Sequence, residues 1–516
     1  MKKNISLLVF SCILAINSFA QELVTLPMPN SGKVVIRLVF KNGSVADPAG
    51  KEGLTQLTAS LITDGSTTNH TATELQKAMY PWAAGMGCFV DKEVSILGFE
   101  VPALYLEPFY ALVKDVLLHP AFDSSDVERV RSNQKNFVDE VIRQSSDEEY
   151  GKKYLEYILF HGTPYQNLKQ GTSKGVASIT ISDIKKHYHD YFTRNNVMIG
   201  VAGDYPAGFP ERLKKDLAAL SDANPKISVS KQVNTPDGVN VTIISKPGAL
   251  GSAISAGFPM NINRSSDDFP ALMVANSWLG EHRKSYSRLY QKIREARSMN
   301  YGDYTYVEWY EGGGGNMLPP AGTPRSLNYF SIWLRPVQTA KGLKGQYPEL
   351  IDLKVGHAPF AMRMALHELN QMINQGMSQE DFEKTRDFLR SYSKLYVEGM
   401  GKKLGYAMDS KFYGRTDWIK ELDGLLAKLT REQVNAAIKK YWQTNNMEWV
   451  IITDESEVEP LVKVFKEGMP APIAYSNGLK ASLSPEILSE DEIINVYPFP
   501  VNKVTVTTSD LPFRGE

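Results

Sequence analysis

In Gly53-Leu-Thr-Gln-Leu-Thr-Ala-Ser-Leu-Ile-Thr-Asp-Gly-Ser-Thr67, the apolar residues Leu54, Leu57, Leu61 and Ile62 recur at helical spacing. Asp64-Gly65 ends the run, so the stretch predicts a short amphipathic helix opening at Gly53. Upstream, Val34-Val-Ile-Arg-Leu-Val-Phe-Lys-Asn-Gly43 is rich in β-branched residues and stops at Asn-Gly, the pattern of a buried strand. A loop through Asp47-Pro-Ala-Gly50 joins the two.

This strand–loop–helix order resembles the first motif of the insulinase-like (M16) peptidases, whose helix carries His-x-x-Glu-His. In that family the two His and the Glu share one helix face at i, i+3 and i+4, so two imidazoles grip a Zn²⁺ beside a carboxylate base. Laid on the motif, this chain has Gln56 and Ser60 at the His positions and Ala59 at the Glu. A catalytic zinc takes about three protein ligands. An amide and a hydroxyl are poor replacements, and Ala59 has no group that takes a proton from water. The resemblance therefore implies the fold while the residues remove the zinc chemistry. The family's third ligand is a Glu on a later long helix. Asp139 and Glu140 stand at about that distance, and without the histidines they read as solvated or capping carboxylates.

A second motif lies downstream. Ser287-Arg-Leu-Tyr-Gln-Lys-Ile-Arg-Glu-Ala-Arg-Ser-Met-Asn-Tyr-Gly-Asp-Tyr304 resembles the second-domain motif of the same family. There an Arg and a Tyr hold the substrate backbone against the zinc site, and the matching positions here are Arg294 and Tyr301. A guanidinium and a phenol both donate to carbonyl oxygens and to a developing oxyanion. The alternative for the pair is a helix-end arginine with a packing tyrosine.

The order of elements repeats with a period of roughly 220 residues, which indicates a duplicated domain rather than a solenoid, whose repeats run about 20–50 residues. In the first copy, helices are predicted near 72–79, 104–118, 125–143, 148–159 and 182–192, a hairpin over 86–101 and a strand over Val197–Gly203. In the second, strands fall near 239–245, 253–259, 304–310, 327–334 and 447–453, and helices near 270–279, 286–297, 358–375, 378–397 and 431–442. The fold class is α+β: two homologous domains, each a mostly antiparallel sheet with helices on one face. The expected division is a signal peptide (1–20), a first domain with the degenerate motif (21–205), a linker (206–234), a second domain with the Arg/Tyr motif (235–470) and an extended tail (471–516). Ile493-Ile-Asn-Val-Tyr497 is the tail's candidate edge strand, and Gly312-Gly-Gly-Gly315 marks a flexible hairpin insertion near the cleft.

Net charge is −1, with 42% hydrophobic and 22% charged residues, so composition favours neither nucleic acid nor an anionic membrane as partner. Lys2-Lys3, an apolar run from Ile5 to Ile16 and Ser18-Phe-Ala20 predict export with cleavage after Ala20 and a periplasmic or envelope location. A lipoprotein reading at Cys12 is the alternative. The mature chain then keeps Cys88 as its one cysteine, so no internal disulfide is available. Among the histidines, His187 and His189 are two apart and do not share a helix face, His367 has no second His at i+4, and His357 is distant in sequence. None makes a metal motif.

Together these readings predict a subunit that completes a heteromeric zinc peptidase without holding the zinc. Its partner would be an M16 chain carrying His-x-x-Glu-His, and the substrates peptides. The alternative is an inactive peptide-binding or scaffold protein of the cell envelope, with Arg294 and Tyr301 vestigial. No cofactor is expected in this chain itself.

Overall fold

The computed structural model describes residues 22–227, 229, 235–308, 320–508 and 513–515. The predicted signal peptide and the Gly312–Gly315 run lie outside them.

Two sheets share one plan. The first contains β1 (Leu23–Pro27), β2 (Lys33–Phe40), β3 (Gly85–Val90), β4 (Ser95–Pro102) and β5 (Val197–Gly203), ordered β1-β5-β2-β4-β3. The second contains β6 (Val239–Ser245), β7 (Gly251–Met260), β8 (Asp303–Tyr306), β9 (Asn328–Gln338), β10 (Met447–Thr453) and β11 (Val501–Thr508), ordered β11-β6-β10-β7-β9-β8. With β11 set aside the two orders match term for term, as a duplication requires. In both shared orders the first pair is parallel (β1 with β5, β6 with β10) and the others are antiparallel, while β11 joins β6 in parallel. The α+β class holds.

Each sheet has helices on both faces, not one. One face of the first sheet (Ile36, Leu38, Leu97, Phe99) packs on helices of its own half through Leu57, Leu61, Phe109 and Val113. Its other face (Val24, Val35, Met198, Ala202) is covered by Leu404 and Met408 of the second half's helix Met400–Phe412. The second sheet is treated reciprocally. Tyr150, Leu155 and Leu159 of the first half's helix Asp147–Leu159 pack on Ile244, Val450 and Ile452. Glycines permit the approach: a Cβ on Gly200 of β5 would stand 2.4 Å from Met408 Sδ, and one on Gly151 would stand 3.3 Å from Ser255 Oγ. The halves are therefore interlocked by exchanged helices. Sequence periodicity shows that a helix has an apolar stripe, not which sheet receives it.

Four expectations are corrected. The stretch read as a linker contains the helix Phe209–Asp216, whose Phe209 and Leu213 enter the first core. Pro210 starts that helix instead of breaking it, because a first-turn proline gives up an N–H that has no partner anyway. The tail is not extended throughout: Ser484 caps a helix over Pro485–Asn495, Ile494 enters the second core, and β11 rather than Ile493–Tyr497 supplies the edge strand beside β6. The predicted helix over 286–297 is shortened to 288–295, most of it widened into a π turn at Tyr290–Glu295. The long helix from Ser124 widens in the same way at Phe137–Val141, and the extra residue per turn leaves Val141 38% exposed while Val138 and Ile142 are buried.

Candidate functional site

The motif helix Leu54–Asp64 is held at its N-terminus by Asp47, whose carboxylate accepts from Gly53 N and Thr55 N at 2.7 Å each and from Thr55 Oγ1 at 2.6 Å. Gly53 takes φ +101°, and a Cβ there would stand 2.5 Å from Gln170 O, so the position demands glycine. Burial of Leu54, Leu57, Leu61 and Ile62 leaves Gln56 and Ser60 half-buried, one turn apart. Gln56 Nε2 donates to Ser60 Oγ at 2.9 Å, and Ser60 Oγ lies 3.5 Å from Cys88 Sγ on β3. Ala59 is fully buried in the core.

The positions that the resemblance assigns to zinc ligands are thus an amide and a hydroxyl bonded to each other, with a neighbouring thiol. Burial pushes the Cys88 thiol above its ordinary value, which keeps it protonated. This donor set does not fit zinc. Among the described residues no group of three or more His, Cys, Asp or Glu is placed to hold a metal ion. Asp139 pairs with Lys135 and Ser173, and Glu140 accepts from Gln144 at 2.7 Å, so neither joins Gln56 and Ser60. The long helix meets the motif helix through the amide of Gln134, which donates to Gly53 O at 2.9 Å. His187 is engaged by Thr55 Oγ1 at 3.0 Å, and burial pushes its pKa down to about 3. His189 sits 2.9 Å from Asp190, His357 2.9 Å from Ala474 O, and His367 3.4 Å from Glu368.

Among the described residues β3 is bonded to β4 alone and forms the open edge of the first sheet. A cavity of about 600 Å³ runs along it, with Arg37, Gly87, Cys88 and Glu100 on the sheet side and Pro320–Thr323 with Gly401 opposite. The far wall is anchored by Asp409, which accepts from Gly322 N at 2.9 Å and from Arg264 Nη1 at 2.9 Å. The sequence pointed to Gln56 and Ser60, but the groove and the roles of Arg37 and Cys88 depend on strand order, which local patterns do not encode.

Arg294 and Tyr301 do not line this groove. They lie beside the second sheet's edge strand β8. The Arg294 guanidinium is 4.8 Å from the Tyr290 ring centroid and 5.8 Å from that of Tyr301, and Tyr301 is 75% exposed. Arg335 flanks the same ring at 5.9 Å but is committed to Glu148 at 3.1 Å. Behind them sits an aromatic cluster that sequence reasoning missed: His282 Nδ1 is 2.9 Å from Tyr306 OH, its ring is 4.3 Å from Tyr304, and Lys152 Nζ lies 3.3 Å from the Trp333 centroid.

Comparison with known proteins agrees with this architecture. Residues 23–172 match the family described as Insulinase (Peptidase family M16), and residues 178–389 match the Peptidase M16 inactive domain. The chain belongs to the M16 insulinase family. It is 19% identical over 429 residues to a Helicobacter pylori protein named "Non-peptidase homolog YmxG", covering 82% of this chain and 89% of that one. Among solved structures, a peptidase M16 inactive domain from Pseudomonas fluorescens superposes with a TM-score of 0.70 at 18% identity, covering 85% of this chain and 96% of that one. The periplasmic protease PqqL from Escherichia coli gives 0.63 at 14% identity, covering 85% of this chain but 45% of PqqL.

Proposed function

We infer that this chain is the non-zinc-binding subunit of an exported, heteromeric M16-type zinc peptidase, in which it supplies the Arg294–Tyr301 half of a peptide chamber. One observation carries the reading. Arg294 has no hydrogen bond or ion pair from its guanidinium among the described residues, only ring contacts, and Tyr301 beside it is mostly in solvent. An arginine without a bonded carboxylate next to an exposed phenol leaves two donors free for the carbonyl oxygens of a peptide.

The first half offers no base and no metal ligands at Gln56, Ala59 and Ser60, so metal and proton acceptor come from a partner with His-x-x-Glu-His. Length supports this reading: the chain matches 45% of PqqL, so two such matches come close to the length of one PqqL. The basic-then-apolar N-terminus supports export, and among the described residues no helix is long and apolar enough to cross a membrane.

A second reading, an inactive peptide-binding or scaffold protein, draws on the open β3 edge and its groove, which take an extended segment without chemistry. Affinity purification from the native envelope tests the first reading. A stoichiometric His-x-x-Glu-His protein in the complex supports it, and a monodisperse monomer that never pairs with one contradicts it.

A further inference from the structure

We propose that the groove along β3 binds an extended peptide segment through a carboxylate, with the Arg37 guanidinium as that carboxylate's partner. The inference rests on the reading of this chain as a peptide-binding member of its family and specifies which peptides it prefers.

Arg37 is on β2, on the sheet face opposite the core residues Ile36 and Leu38. Among the described residues no hydrogen bond or ion pair reaches its side chain. The two carboxylates whose charge it senses are Asp409 and Glu100. Neither is bonded to it: Asp409 Oδ2 accepts from Arg264 and the Gly322 N–H, and Glu100 pairs with Lys33. Arg37 therefore carries a positive charge into the cavity without a bonded counter-ion. Burial lowers its pKa, the mark of a cation that has lost water without gaining a partner. A guanidinium stays charged even so, and a bidentate carboxylate is the ligand that its planar fork fits best.

The surroundings keep the fork accessible. Across the sheet Arg37 is in register with Gly98, and Gly98 with Gly87 on the open edge. No side chain stands between Arg37 and that edge along this row. A Cβ on Gly87 would meet nothing within 4 Å, whereas one on Gly405 would stand 2.3 Å from Arg37 Nη1. The first glycine leaves the strand's face open, and the second makes room for the guanidinium itself. With strands about 4.8 Å apart, a peptide strand added to β3 lies about 14 Å from the Arg37 backbone. An extended arginine and a glutamate side chain span that separation together.

The test is fluorescence-anisotropy titration of the full chain with labelled ten-residue peptides of one sequence. The first has blocked ends and a central Glu, the second has blocked ends and Gln in its place, and the third has that Gln and a free C-terminal carboxylate. One of the two carboxylate peptides is expected to bind about tenfold more tightly than the blocked Gln peptide, and which one identifies a side-chain or terminal source. Arg37→Gln is expected to bring that peptide to the affinity of the blocked Gln peptide, and Arg37→Lys to recover part of the difference. Equal affinities for all three on the wild-type chain overturn the proposal and leave peptide binding standing. A preference that survives Arg37→Gln overturns it equally. Binding of none of the three removes the peptide-binding reading and the proposal with it.

Discussion

Arg325 and Asp91, 234 residues apart, form a two-bonded fork across the halves, with Nε to Oδ2 at 2.7 Å and Nη2 to Oδ1 at 2.6 Å. Arg325 Nη1 also donates to Glu156 at 2.9 Å, and Glu156 pairs with Lys92 at 2.7 Å. This buried network ties the β3–β4 turn to the segment that continues the groove's far wall, so it fixes the groove's width.

Arg325→Ala leaves Asp91 and Glu156 in low dielectric without the cation that bonds them both. The expected cost is about 3–5 kcal/mol in a denaturant titration. Burial alone would raise both carboxyls, but Arg325 holds Asp91 below the ordinary range, and Lys92 with Arg325 holds Glu156 at about 2. Carboxylates with lowered folded pKa values stabilise fully above their unfolded values and lose that contribution as pH falls toward 2. The Arg325→Ala penalty should therefore shrink on acidification below about pH 4. A wild-type melting curve from the variant contradicts this account.

Glu281 works in the opposite direction. It caps the C-terminus of the helix Phe269–Gly280, and burial pushes its carboxyl up to about 7. The negative end of the helix opposes its ionisation as well. The folded state then holds the proton that the unfolded state releases above its ordinary value, so stability falls as pH rises from about 4.5 to 7. Glu281→Gln should melt higher than wild type at pH 8, by up to about 3 kcal/mol, with the gap closing below pH 4.5. A gap independent of pH would refute the assignment.

The exchanged helices predict that neither half folds alone. A fragment of residues 22–227 exposes Val24, Val35, Met198 and Ala202, which Leu404 and Met408 cover in the full chain. It also leaves the helix Asp147–Leu159 without its sheet. Size-exclusion chromatography and thermal melts of this fragment should show aggregation or no cooperative transition. Mixed with residues 235–516, it should recover one. A monomeric fragment with a sharp melt would contradict the interlock.

Much of this arrangement was legible in the sequence. Period-2 and period-3.6 patterns placed β2, the motif helix, β5, β6 and β10 within a residue or two, and the repeat order gave the duplication. Patterns failed where a choice is made at long range. Leu404 and Met408 show helical spacing but not their destination on β5. Val501–Thr508 alternates as a strand, yet only the free edge of β6 makes it one. For the site, Gln56, Ala59 and Ser60 were readable because their chemistry is absent at fixed spacing. Cys88 and Arg37 were not, because each is defined by neighbours that folding brings from other elements.

The donor set at the motif helix predicts protein without stoichiometric zinc. A metal bound by the folded state alone would add stability of order RT ln(1 + [L]/Kd), lost on chelation. Elemental analysis of protein purified without an imidazole-eluted tag should find far less than one zinc per chain, and the melting temperature should not move in EDTA. One zinc per chain with a lowered melting temperature in EDTA contradicts the reading of Gln56 and Ser60.

Peptidase turnover of the reconstituted pair tests the central claim most directly. The chain is mixed with the His-x-x-Glu-His protein of the same envelope, and cleavage of a fluorogenic peptide library is followed. The mixture should turn over where this chain alone does not. Arg294→Ala should lower kcat/KM by about 10²-fold or more, the scale of losing a transition-state donor, while the complex still elutes intact. Unchanged turnover with Arg294→Ala, or turnover by this chain alone, would contradict the account.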